Sequence, residues 1–210
     1  MRRTSRARTV LGLDLAGSPH RSTGCCVLTG PSMARCAVAH GDEEIRSVVR
    51  SAHPELIVID APLSLPRGRA TIEDRSGPHL RECDRELLRR RIRFFPLTLG
   101  PMRMLTVRGM RLAEGFRRAG FEVVEGYPGA SQDLLGIPRK QRGLAGVRRG
   151  LRSLGLRGDL DRTSLSHDEL DAATIAWVGR QHLFGRSLLI GDPTEGLMVL
   201  PRPRRRRVPP

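Results

Sequence analysis

VLGLDLAG, residues 10–17, is an aliphatic run interrupted by one carboxylate, Asp14, and closed by Gly17. Aliphatic residues bounded by glycine predict a buried strand. A carboxylate inside such a strand costs free energy unless it is paired or holds a metal ion, so Asp14 marks a candidate site. Two later stretches repeat the pattern: LIVID at 56–60 ends in Asp60, and FEVVE at 121–125 ends in Glu125. One acid at a strand end often marks only the exit to solvent. Three of them predict carboxylates gathered at one edge of a sheet.

After this strand, residues 24–29 and 33–39 read as two more, joined by Gly30-Pro31-Ser32, so the first three strands form an antiparallel meander. Residues 42–52 place Ile45, Val48 and Val49 on one face of an amphipathic helix, with acids at its start. The uninterrupted LIVID run then predicts a central parallel strand reached through that helix. Residues 61–105 read as an insertion over the sheet edge, with a helix at 81–93 and a loop at 94–104. A helix at 107–119 leads to the strand at 121–125. Short helices at 131–135 and 147–154, a polar loop at 159–164 and a helix at 167–182 follow. Short strands at 188–190 and 196–200 close the chain. Three strands, helix, strand, helix, strand, helix is the order of an α/β domain of RNase H-like fold, with a five-stranded mixed sheet flanked by helices. That domain is expected at 9–200, between basic, Pro-rich tails at 1–8 and 201–210 that are expected to be disordered.

A chain of 210 residues fits one domain, and with 39% hydrophobic but only 3% aromatic residues its core must be aliphatic. The formal net charge is +15, almost all of it from arginine, since Lys140 is the only lysine. Arginine over lysine is explained by base composition of the coding sequence; the excess of positive charge is not, and it suits a polyanion such as DNA or RNA. Cys25, Cys26, Cys36 and Cys83 contain no C-x-x-C pair, which argues against a zinc site. Cys25 and Cys36 read as small buried hydrophobes. No signal peptide or membrane-length apolar run is visible, so a cytoplasmic protein without membrane contact is expected.

SHDELDAATIAW, residues 166–177, completes the acidic set. Ser166 with Glu169 fits a capping box, and Asp168 and Asp171 then share one helical face. Ala172, Ala173 and Ala176 allow this helix to lie close to the sheet. An acid in the first turn, such as Asp168, is explained by the helix dipole alone; Asp171, deeper in, is not. Phosphodiester hydrolysis is served by two Mg²⁺ or Mn²⁺ ions about 3.5–4 Å apart, held by carboxylate oxygens. Asp14, on the central strand, suits the bridging position, with Asp60, Glu125, Asp168 and Asp171 completing the ligand set. Asp14, Asp60 and Asp171 are the expected catalytic residues. Arg81 and Arg85, in the insertion, are candidates to hold substrate phosphate; a solvated helix with local ion pairs explains them equally well. His167 reads as a proton shuttle or as a surface residue.

GLDLAG at 12–17, VIDAPLSLP at 58–66, RECDREL at 81–87, EGYPGA at 125–130, HDELDAA at 167–173 and GDPTEGLMVLP at 191–201 together resemble the domain of unknown function 429 family. The resemblance spans the chain apart from its tails and implies an RNase H-like fold and a predicted nuclease. The last helix is also similar to that of RuvC-type Holliday junction resolvases, whose Asp-x-x-Asp-Ala motif supplies metal ligands. That likeness implies Asp168 and Asp171 as ligands, with Asp14 on the first strand and Asp60 where the resolvases carry Glu. Glu125 has no counterpart there. Two other readings compete with the nuclease. DLAGS at 14–18 resembles the first phosphate loop of actin-type and sugar-kinase phosphotransferases, but those need two such domains. A non-catalytic nucleic-acid-binding or scaffold protein that retains the fold suits the charge as well as an enzyme does.

Overall fold

The computed structural model describes residues 8–139, 141, 143–162 and 164–203. The expected disorder at 1–8 and 201–210 lies outside them at 1–7 and 204–210, whereas Pro201 ends the last strand and Arg8 donates to the Leu183 carbonyl at 2.8 Å.

Three antiparallel strands open the domain: β1 (Thr9–Asp14), β2 (Ser22–Thr29) and β3 (Met33–His40). Helix α1 (Gly41–Ala52) crosses to β4 (Leu56–Ile59), which lies parallel to β1. Then come α2 (Glu82–Arg89), α3 (Gly100–Arg118) and β5 (Glu122–Gly126), parallel to β4. Helices α4 (Pro128–Leu135) and α5 (Leu144–Ser153), the two-residue β6 (Arg157–Gly158) and α6 (His167–Leu183) follow. β7 (Ser187–Asp192) and β8 (Gly196–Pro201) pair antiparallel at the end.

The sheet has eight strands in the order β6-β3-β2-β1-β4-β5-β8-β7, not the five expected. The central five keep the expected arrangement. β8 adds itself parallel to β5 through Glu125↔Met198 and Gly126↔Val199, and β6 adds two residues beyond β3. Helix α3 also begins seven residues earlier than its sequence suggests. Gly100 and Pro101 read as loop, but Pro101 stands in the first helical turn, where its missing N–H is not needed.

Side-chain alternation places the layers. On β1, Leu11 and Leu13 face α1 and α3 in a cluster with Ile45, Val49, Leu112 and Phe116, while Val10 faces the α6 side with Leu56, Val58 and Ile175. α6 lies so close to the sheet that glycine is required beneath it. A β-carbon at Gly12 would stand 2.1 Å from the Ala172 carbonyl oxygen, and one at Gly24 would stand 2.1 Å from that of Asp168. The alanines supply the matching small surface on the helix. A further cluster on that face joins α5 and α6 to Cys26, Leu28 and Cys36 of the meander. No helix among the described residues is long and apolar enough to cross a membrane.

Candidate active site

Alternation fixes the acids before any distance is measured. Asp14 follows Gly12 by two residues and Asp60 follows Val58 by two, so both lie on the α6 face of adjacent parallel strands. The Asp60 N–H donates to the Leu13 carbonyl at 2.9 Å and extends the β1–β4 pairing by one step, which sets the two carboxyls side by side. Asp171 stands one residue before Ala172, the residue that meets Gly12. Its cap is as expected: Ser166 and Glu169 exchange hydrogen bonds at 2.9 and 3.3 Å.

The three carboxyls interact. Burial pushes Asp60 well above the ordinary carboxylate range, and the charges of Asp14 and Asp171 push it further, with Glu125 adding less. A side-chain hydrogen bond with Asp14 acts in the same direction. Asp171 is buried, and its Oδ1 accepts a 2.7 Å hydrogen bond from Nε2 of Gln132 on α4, itself buried. The same Nε2 reaches Thr174 Oγ1 at 3.3 Å. Gln132 is absent from the residues that the sequence singles out; nothing in ASQDLL, 130–135, distinguishes it. Asp168 is part-exposed and pairs with His167 Nδ1 at 2.6 Å, and its backbone covers Gly24.

Glu125 and Arg81 form a different unit. Arg81 is almost wholly buried and all its donors are used. It bonds Glu125 through two nitrogens, at 2.6 and 2.7 Å, and Asp84 through two, at 3.1 Å each, and Nη1 also reaches Ser64 Oγ at 3.3 Å. Glu125 Oε2 accepts in addition from the Leu63 N–H at 2.9 Å. The expectation that Arg81 grips substrate phosphate is corrected by this saturation: no N–H is left to offer. Arg85 points to solvent and pairs with Glu82 at 3.4 Å, the bland alternative.

A cavity of about 270 Å³ opens beside the acids. Asp60, Asp171, Glu125 and Gln132 line one side, and Phe94, Phe95 and Leu97 of the chain between β4 and α3, with Met102 of α3, line the other. Among the described residues, no group of three or more His, Cys, Asp and Glu side chains is arranged as a ready metal-binding set. All four cysteines are free and buried, and burial holds the Cys25 thiol up at about 12.

No family model matches this chain, and no curated protein matches it. Its resemblance to the domain of unknown function 429 family rests on the quoted motifs. Among solved structures, T. thermophilus RuvC in complex with Holliday junction substrate is similar with a TM-score of 0.44 and 15% identity, over 85% of this chain and 96% of that one. A second Thermus thermophilus RuvC structure gives a TM-score of 0.41 and 15% identity, over 84% and 96%. The chemistry of the site rests on this chain's own residues.

Proposed function

We propose that this protein is a metal-dependent nuclease that hydrolyses phosphodiester bonds in DNA or RNA with Mg²⁺ or Mn²⁺. The observation that carries this reading is the placement of Asp14 and Asp60 side by side on the α6 face of adjacent parallel strands, with Asp171 on the helix packed over them. Carboxylates crowded at the ends of rigid strands are a donor set suited to a hard divalent cation. Asp14, Asp60 and Asp171 would hold the ions, with Asp168 at the margin. Bound there, the metal would supply an activated water and charge stabilisation at the leaving oxygen.

The chain's own residues do the positioning. β1 and β4 fix Asp14 and Asp60 through the sheet's hydrogen bonds. Gln132 fixes the rotamer of Asp171. Glu125, with both oxygens engaged by Arg81, acts in this reading as a strut for the cavity wall, although its field still reaches Asp60. The membership of the 429 family and the resolvase-like roles of Asp168 and Asp171 belong to the same proposal.

A cleavage assay on a panel of single strands, duplexes and branched junctions, with and without Mg²⁺ or Mn²⁺, tests it. Metal-dependent cleavage by the wild type that Asp14→Asn abolishes is expected. Binding without cleavage at any metal concentration would overturn it in favour of a non-catalytic nucleic-acid-binding protein.

A further inference from the structure

At the opposite end of α6 from the acids lies a groove lined by Arg8, Arg180, Arg186, Phe184, Gln181 and the β2–β3 turn at Gly30-Pro31. It measures about 520 Å³. Nine residues separate Asp171 from Arg180, so about 14 Å of helix lies between the two places. The groove is not an extension of the acidic cavity.

Three observations distinguish it from a patch of solvated arginines. Arg180 is nine-tenths buried, yet its Nη1 has no hydrogen-bond partner. Burial lowers its pKa and no acid counters the shift. A buried guanidinium donor without a partner is costly and rare. Next, Phe184 is half exposed and has two guanidinium groups over its ring, with the Arg8 carbon 5.2 Å and the Arg186 carbon 5.8 Å from its centre. Finally, the groove is poor in acid. Among the described residues, the ion pair that reaches it is Arg8 with Glu55, at 3.8 Å.

We propose that this groove is a second ligand site that binds phosphate groups, with Arg180 as its buried anchor and Arg8 and Arg186 as its flanks. Guanidinium forks match phosphate oxygens in pairs. Phe184 offers a face to a ring carried by the same ligand. The phosphate can come from a nucleic-acid strand that also reaches the acidic site, or from a free phosphate compound. The first source rests on the proposed function; the second does not.

Calorimetry with inorganic pyrophosphate, and fluorescence anisotropy with a short labelled single strand of DNA, both in chelator, separate these cases. Wild type, Arg180→Gln, Arg186→Gln and Arg118→Gln are compared; Arg118 lies at the exposed end of α3, beside Glu114. Arg180→Gln and Arg186→Gln are expected to weaken pyrophosphate about fivefold or more, and Arg118→Gln to leave it unchanged. The slope of log K against log salt for the DNA is expected to fall by about one per arginine removed from the groove. Pyrophosphate binding that is sensitive to the groove, with no DNA binding, supports the site with a free phosphate compound as its ligand, and the cleavage assay alone decides the proposed function. Pyrophosphate binding that is absent, or equal in all four proteins, overturns the site whatever the nuclease assay shows. Arg186 is exposed, so its variant decides the matter if Arg180→Gln fails to fold.

Discussion

Asp60 is the residue whose titration reports on the site. Its pKa is raised in the folded state above the ordinary 3.8. The folded protein thus binds this proton more tightly than the unfolded chain does. The stability it contributes is complete below about pH 3.8 and is lost as pH rises toward the raised value. Asp60→Asn removes that loss while keeping the shape and an N–H to offer Asp14. In chelator, the melting temperature of the variant relative to wild type is expected to be near zero at pH 4 and to grow toward pH 8. Each kcal/mol corresponds to about 2–4 °C in a chain of this size. Glu43, Asp74, Glu82, Glu86 and Asp192 titrate in the opposite sense, held low by their hydrogen-bond and arginine partners. Glu43 is exposed and the other four are part-exposed, so solvent screening keeps their effect small, and it cancels in the comparison of the two proteins. A difference that does not change with pH would show that Asp60 and Asp14 do not share a proton. Wild type is further expected to gain melting temperature from Mg²⁺ or Mn²⁺ by mass action, and Asp60→Asn to gain little.

Two contacts between elements carry the architecture of the site. The first is α6 on β1. Gly12→Ala forces a methyl against the Ala172 carbonyl, and an expected loss of about 1–3 kcal/mol is measurable by denaturant unfolding. An equal stability would mean that the helix is not seated as described. The second is the buried Arg81, which ties the start of α2 to Glu125 on β5. Arg81→Met leaves two buried carboxylates without their counter-charge, at a cost of about 3–5 kcal/mol. Adding Asp84→Asn and Glu125→Gln to it is expected to restore part of the loss. A triple variant no more stable than the single one would show that the pairing is not what matters. The first contact was legible in the chain on the helix side: the alanines of α6 point to close approach and Ser166 marks its start, while Gly12 beneath it was not singled out. The second was not, because Arg81 and Glu125 are 44 residues apart and only the fold brings them together. Arg180 lay between these cases. It falls four residues after Ala176 and seven after Ala173, on the packed face of α6, where a charged residue has no solvation of its own. The start of α3 was hidden because Gly100-Pro101 suits a loop and a helical first turn alike. Of the outer strands, β7 and β8 were legible as short strands at 188–190 and 196–200, whereas the two-residue β6 leaves no periodicity to read. Parallel pairing of β8 with β5 likewise depends on a neighbour remote in sequence.

At the scale of the molecule, the formal charge of +15 is spread over a surface on which many carboxylates already have arginine partners, as in the pairs of Glu82 and Glu86 with Arg89. Glu125, at a strand end, is paired in the same way by Arg81, and with Asp60 it sits beneath a wall supplied by the chain between β4 and α3. The central place of β1 in the sheet has a kinetic consequence. Its pairing with β2 closes a loop of only seven residues, while β8 reaches β5 only after the whole chain between them has been arranged. Short loops close first, and long-range parallel pairing waits for them. The meander is therefore the expected folding nucleus, and the β7–β8 pair docks after the rate-limiting barrier. Leu28→Ala, in the buried face of β2, should slow refolding, whereas Val199→Ala, in β8, should leave refolding nearly unchanged and speed unfolding. Stopped-flow chevrons of the two variants would reveal the order in which this sheet is assembled, and the reverse pattern would place its beginning at the C-terminal edge.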